Sequence, residues 1–127
     1  MVGAAPGTPV IPVKVLDASG SGTTSQVICG IDWVTQNAAV RGIKVANMSL
    51  GGLDPSGIGT CATNAERRAI CLATAAGVTF VVAAGNDGWD FGLNPPDVPA
   101  AYPEVLTVTA LSDSDGAPGG ARQAVRL

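Results

Sequence analysis

Asn47-Met48-Ser49-Leu50-Gly51-Gly52 and Val81-Val82-Ala83-Ala84-Gly85-Asn86 decide how this chain is read. Each stretch runs out of a short hydrophobic segment, 44–48 or 78–83, into a loop of small residues. A helical pattern precedes the first stretch and another separates the two. Thr24 or Ser25 caps a helix reaching about Arg41. Val27, Ile28, Ile31, Val34 and Ala38 recur in it at spacings of three and four, one helical face, and Gly42 stops it. Thr63-Asn64-Ala65-Glu66 has the form of a capping box, in which Thr63 and Glu66 satisfy orphan backbone N–H groups. The helix it opens has Ala65, Ala69, Leu72, Ala73 and Ala76 as its buried stripe, with Gly77 past its end. Residues 10–16 read as a strand ahead of the first helix, and residues 105–110 as a strand after a long polar loop, 85–103. Strand, helix, strand, helix, strand, loop, strand predicts right-handed βαβ units. The expected fold is α/β and three-layer, with a mainly parallel sheet of about four strands and flanking helices. It forms one domain over 1–127, of which 112–127 is loop and tail. Ligands of such sheets bind beyond the carboxyl ends of the strands, where the Gly-rich loops fall.

Composition narrows the function classes. The 127 residues are 46% hydrophobic and 13% charged, a balance that favours a packed core over disorder. Aromatics are scarce and Ala, Val and Gly dominate, as in helices packed tightly on a buried parallel sheet. The net charge is −3, and of the basic residues only Arg67 and Arg68 adjoin, which gives no footprint for nucleic acid. No apolar run reaches the ~20 residues of a membrane span. Residues 1–15 lack a basic n-region and contain Pro6, Pro9 and Pro12, unlike a signal peptide. Cys29, Cys61 and Cys71 fit no zinc spacing and leave at least one thiol unpaired within the chain. A helix begun near Thr63 separates Cys61 from Cys71 by roughly 12 Å of rise, beyond disulfide reach. Cys29 with Cys71, on neighbouring helices, is the more feasible pair; buried thiols are the alternative.

Taken together, the motifs resemble the subtilisin-like serine proteases, from about Val2 to about Gly120. Val13-Lys14-Val15-Leu16 with Gly20-Ser21-Gly22 is similar to a family strand and the edge that pairs with substrate backbone as an added strand. Residues 28–34 resemble the helix after it, Tyr102–Val108 a later strand, and Ser112–Gly116 the start of the next loop. The resemblance implies that Ser49, Leu50, Gly51 and Gly52 form one wall of the primary specificity pocket, and Ala83, Ala84 and Gly85 the other. Small side chains there let a substrate residue lie between two backbone segments. It implies that Asn86 is the oxyanion-hole donor, an amide on a rigid strand end aimed at charge developing on a carbonyl oxygen. Taken singly, each loop is an ordinary βα turn, and Asn86-Asp87-Gly88 an ordinary tight turn. The combination carries the resemblance.

Catalysis of this kind needs a serine, a histidine and an aspartate, and the chain contains no histidine. The family's Gly-Thr-Ser-Met-Ala nucleophile pattern and its Asp-Thr/Ser-Gly pattern are absent. Ser49 has no base, and Asp32 lies within the first helix. The resemblance therefore implies an internal piece of a secreted serine endopeptidase, which cleaves peptide bonds through an acyl-enzyme. The piece holds cleft and oxyanion segments, and alone it is expected to be inactive. The implied partner is a peptide or protein substrate, with neither nucleic acid nor membrane. No cofactor is implied beyond a weak calcium site on backbone oxygens of the Pro99–Glu104 loop, near Asp97 and Glu104; a generic acidic loop is the alternative. Two other functions are compatible with the residues. One is a non-catalytic interaction or complementation piece that associates through exposed sheet edges. The other is a nucleotide-binding α/β module suggested by Gly20-Ser21-Gly22, which lacks a third glycine and a P-loop lysine. Asn47-Met48-Ser49 is a formal glycosylation sequon at the end of a strand read as buried.

Overall fold

The computed structural model describes residues 3–87 and 96–110. The expected tail at 112–127 and the part of the polar loop at 88–95 lie outside the described residues. The elements in chain order are α1 (Thr24–Arg41), β1 (Val45–Met48), β2 (Gly52–Leu53), α2 (Ala65–Ala75), β3 (Thr79–Ala83), β4 (Asp97–Val98) and β5 (Leu106–Val108). Strands β1, β3 and β5 form a parallel sheet in that order, and β2 pairs antiparallel with β4 as a separate ribbon. The chain is thus α/β, a mainly parallel sheet with flanking helices.

Alternation in the strands decides where the core lies. Met48, Phe80 and Val82 point to one face and join Val27, Ile31, Val34 and Ala38 of α1 and Ala69, Ile70 and Ala73 of α2. Val98, Ala100 and Tyr102, from the segment before β5, complete this core. On the opposite face Val45 pairs with Thr79, Val81 with Leu106 and Ala83 with Val108. There Val45 and Leu106 are each 59% exposed and Val108 50%, so among the described residues this face is uncovered.

Several local expectations change. Residues 10–16 form no strand and no ladder among the described residues. Pro6, Pro9 and Pro12 have no N–H to give to one. The segment instead packs on α1: a Cβ on Gly30 would collide with Val15 and lie 3.3 Å from Val13. Thr23, rather than Thr24 or Ser25, caps α1. Its side chain accepts from the Gln26 N–H while the Gln26 side chain accepts from the Thr23 N–H. Asn64, rather than Thr63, caps α2 by accepting from the Arg67 N–H at 3.0 Å. Thr63 Oγ1 accepts from the Thr60 N–H in the preceding turn instead. The buried stripe of α2 is Glu66, Ala69, Ile70 and Ala73, while Leu72 is 55% exposed. Fully buried Ile70 sets that face.

Cys61 and Cys71 form a disulfide, with Cα atoms 6.1 Å apart, and Cys29 is a free, exposed thiol. The expected Cys29–Cys71 pairing fails because helix does not begin at Thr63. Thr63 and Asn64 both donate backbone N–H to Thr60 O, and this turn folds Cys61 back onto α2. Closing a loop of ten-residue separation restricts the unfolded chain by roughly 3 kcal/mol. We therefore expect the double variant Cys61→Ala/Cys71→Ala to lose about that much in urea denaturation. An unchanged midpoint would show that the turn is held without the bond.

Candidate functional site

Parallel strands end at the same edge of their sheet. With Asn47 opposite Val81 and Met48 opposite Val82, the chain leaving β1 and the chain leaving β3 emerge side by side. Ser49, Leu50, Gly51 and Gly52 from the first, and Ala83, Gly85 and Asn86 from the second, line one pocket of about 210 Å³ with Leu53, Asp87 and Asp97. Asn86 is exposed there. Ala84 is not among the lining residues. Its backbone N–H donates to Val108 O at 3.0 Å and ties the loop to β5. Gly85 has φ 88°, and a Cβ on it would lie 2.8 Å from Asp97 Oδ2. The positive φ calls for glycine, and a side chain there would also displace the Asp97 carboxylate.

A wider groove of about 820 Å³ adjoins this pocket, and the two share Ser49 to Leu53 as a common wall. Gly20, Ser21 and Gly22 form part of its lining, with Leu16 and Val27. The segment 20–22 is not a strand: it is coil, and the Ser21 carbonyl accepts the Asp17 N–H at 2.8 Å. The loop is nonetheless well held. Asp17 Oδ1 accepts from the Ser19 hydroxyl at 2.7 Å and from the N–H groups of Ser19 and Ser21 at 2.8 and 3.0 Å. These bonds, led by the Ser19 hydroxyl, hold the Asp17 carboxyl below its usual value.

The first turn of α2 brings polar groups to the groove. Asp54 is kept low by the Ser56 hydroxyl and then the Ser56 N–H, with burial opposing and Asn64 Nδ2 at 3.2 Å assisting. Glu66 is buried and accepts the Tyr102 hydroxyl at 3.1 Å. Burial pushes its carboxyl up, the Tyr102 bond resists, and the Asp54 charge adds to the rise. Burial and then the Glu66 charge push the Tyr102 phenol far up. Arg67 grips Glu104 with two bonds, Nε at 2.9 Å and Nη2 at 2.8 Å, and this holds the Glu104 carboxyl low.

Ser49 is exposed and its Oγ accepts only a long bond, 3.4 Å, from Asn47 Nδ2. Asn47 is itself exposed on the open sheet face, contrary to the buried position read from the sequence. Asp32 is exposed on α1, and among the described residues the acids lining the pocket beside Ser49 are Asp87 and Asp97. The sequence reading did not place Asp97, Asp54 or Glu66 at the cleft. The available signals were a carboxylate followed by apolar Val98, and an acid three residues before Ala69, on the same helical face as Ala69, Ile70 and Ala73.

Comparison with known proteins identifies the family and the fold. Residues 1–124 match the subtilase family, peptidase S8, and the chain belongs to that family. Subtilisin DY of Bacillus licheniformis is 41% identical over 114 residues, covering 90% of this chain and 38% of that protein. An extracellular serine proteinase of Thermus sp. (strain Rt41A) is 43% identical over 113 residues, covering 89% of this chain and 24% of that one. Among solved structures, sphericase superposes with a TM-score of 0.65 at 29% identity, over 86% of this chain and 32% of that chain. The S41 psychrophilic protease gives 0.59 at 28% identity, over 76% and 29%. The chain thus spans well under half the length of these relatives.

Glu104 and Glu66 should respond to pH in opposite senses. Glu104, lowered by Arg67, contributes stability above the usual carboxylate range that is lost as pH falls through its lowered value. Glu66, raised by burial, contributes stability at acid pH that is lost as pH rises through its raised value. Glu104→Gln should therefore lower the urea midpoint at neutral pH and flatten its fall in acid. Glu66→Gln should remove the decline from the usual carboxylate range towards neutrality. Urea melts from about pH 3 to pH 8 check both signs; parallel curves for the two variants would contradict this assignment.

Proposed function

We propose that this chain forms the substrate cleft and oxyanion side of a subtilisin-like serine endopeptidase, and that by itself it binds peptide without hydrolysing it. The supporting observation is the one pocket holding Ser49 to Gly52, Ala83, Gly85 and Asn86. Two backbone walls of small residues stand there beside an exposed side-chain amide. An extended peptide lies along the adjoining groove, between Gly20–Gly22 and Ser49–Leu53, and places one side chain in the pocket. When a nucleophile adds to the scissile carbonyl, negative charge develops on its oxygen, and the Asn86 amide is the donor that stabilises it. The proton-transfer machinery is another matter. With no histidine in the chain, no imidazole can take a proton from Ser49 or any other serine. A fluorophosphonate probe at neutral pH is expected to label nothing. Stoichiometric labelling of any serine overturns the non-hydrolytic part of the proposal.

An extracellular setting for the parent is supported by the name of the Thermus relative. For the Pro99–Glu104 loop we propose no resident calcium, because the donor set fits poorly. Glu104 is committed to Arg67. The carbonyls of Asp97, Pro99, Ala100 and Tyr102 accept from the Ala101 N–H, the Tyr102 N–H, the Thr107 hydroxyl and the Val105 N–H. The Asp97 carboxylate faces Gly51 and Gly85 rather than this loop.

The open sheet face favours a second reading, in which the chain also associates with itself. Val45 on one edge strand and Leu106 and Val108 on the other are exposed apolar side chains on this face, and exposed apolar patches favour association. Sedimentation velocity should show mass rising with concentration for the wild type, and less so for Leu106→Lys. A wild-type monomer at all concentrations removes this reading.

A further inference from the structure

We propose that Asp97 makes the pocket selective for a cationic side chain, lysine or arginine, on the bound peptide; this rests on the reading of the pocket as a peptide site. The placement of Asp97 comes from the β2–β4 ribbon. Leu53 pairs with Asp97 and Gly52 with Val98, so β4 crosses between the two walls. A Cβ on Gly51 would lie 2.9 Å from Asp97 Oδ1, and a Cβ on Gly85 2.8 Å from Oδ2. One carboxylate oxygen therefore rests against each wall, and the carboxylate lines the pocket between them.

That carboxylate is incomplete. Oδ1 is buried and has no hydrogen-bond partner among the described residues. A desolvated acceptor without a partner is costly, more so when charged. Among the described residues no lysine or arginine lines the pocket, and the other acid lining it is Asp87. Burial and then the Asp87 charge push the Asp97 carboxyl up, against a stabilising Gly52 N–H. Two acids in one small cavity repel each other, and a cation between them relieves both the repulsion and the missing bond. An ammonium supplies a point charge with three donors, and a guanidinium a planar fork that matches the carboxylate. An acidic side chain meets two like charges. An apolar one leaves Oδ1 desolvated and unpaired, which is how a polar site rejects the wrong ligand. The walls suit the same guest: Gly51, Gly52, Ala83 and Gly85 leave room for a long, slender chain.

The test uses blocked tetrapeptides that differ only in the last residue: arginine, lysine, citrulline (the neutral isostere of arginine) or leucine. A fifth peptide carries its arginine first, which controls for the chain's net charge of −3. Each is titrated into the full chain and into Asp97→Asn. The wild type should bind the arginine and lysine peptides about tenfold more tightly than the citrulline and leucine peptides. Asp97→Asn should bring the four together, chiefly by weakening the arginine and lysine peptides. Citrulline binding as well as arginine, or the fifth peptide binding as well as the first, overturns the role of Asp97 and leaves the cleft reading intact. Failure of every peptide to bind overturns the cleft reading and this inference with it. The comparison of arginine with citrulline needs only the wild type, so it decides even if the variant does not fold.

Discussion

Everything at the cleft depends on the register of β1 against β3. Ala46 pairs with Phe80 and Met48 with Val82, and Met48, Phe80 and Val82 are buried under the two helices. A slip of one residue would turn these side chains out of the core. The same slip would displace Ser49 from its place opposite the end of β3. The core therefore fixes the site: large apolar side chains that never approach a ligand determine how far apart the two backbone walls stand. The β2–β4 ribbon adds a cross-tie, holding the far end of the first wall against the segment that leads to β5.

What could be read from residues alone follows from how local each cause is. The two helices and strands β1 and β3 declare themselves through periodicity and the glycines that end them. Their caps lie one or two residues from the expected ones because Thr23, Thr24 and Ser25 all carry hydroxyls, and Thr63 stands beside Asn64. Only the turn geometry chooses between them. Residues 10–16 have strand-like composition, but a strand needs a partner, and composition does not supply one. The Cys61–Cys71 bond was hidden for a related reason, since its feasibility depends on a turn whose hydrogen bonds run from Thr63 and Asn64 to Thr60. At the cleft, both walls and Asn86 lie in contiguous motifs and were legible. Asp97 reaches the pocket only through a two-residue antiparallel pairing, a long-range event with no periodic signature.

The fold also separates two tasks often treated as one. Shaping a cleft requires rigid backbone, small side chains and buried packing, all of which this chain has in its described residues. Proton transfer of the Ser-His-Asp kind requires an imidazole, and the sequence contains no histidine. The geometry of the pocket is thus encoded locally, within a sheet and its two helices.

The contacts between the start of α2 and the segment before β5 have a dynamic consequence. Tyr102 reaches Glu66 and Asn64, and Glu104 reaches Arg67, while the disulfide closes the same turn from the other side. Neither the helix start nor the distant segment can open without breaking the shared bonds. In native-state hydrogen exchange the amides of both should exchange together, as one cooperative unit. The loop 17–22 is secured only by bonds within itself, so its amides should exchange independently. The wider groove would then have one side, at Asn64 to Glu66, that opens only with the segment before β5, and another, at Gly20 to Gly22, that breathes by itself.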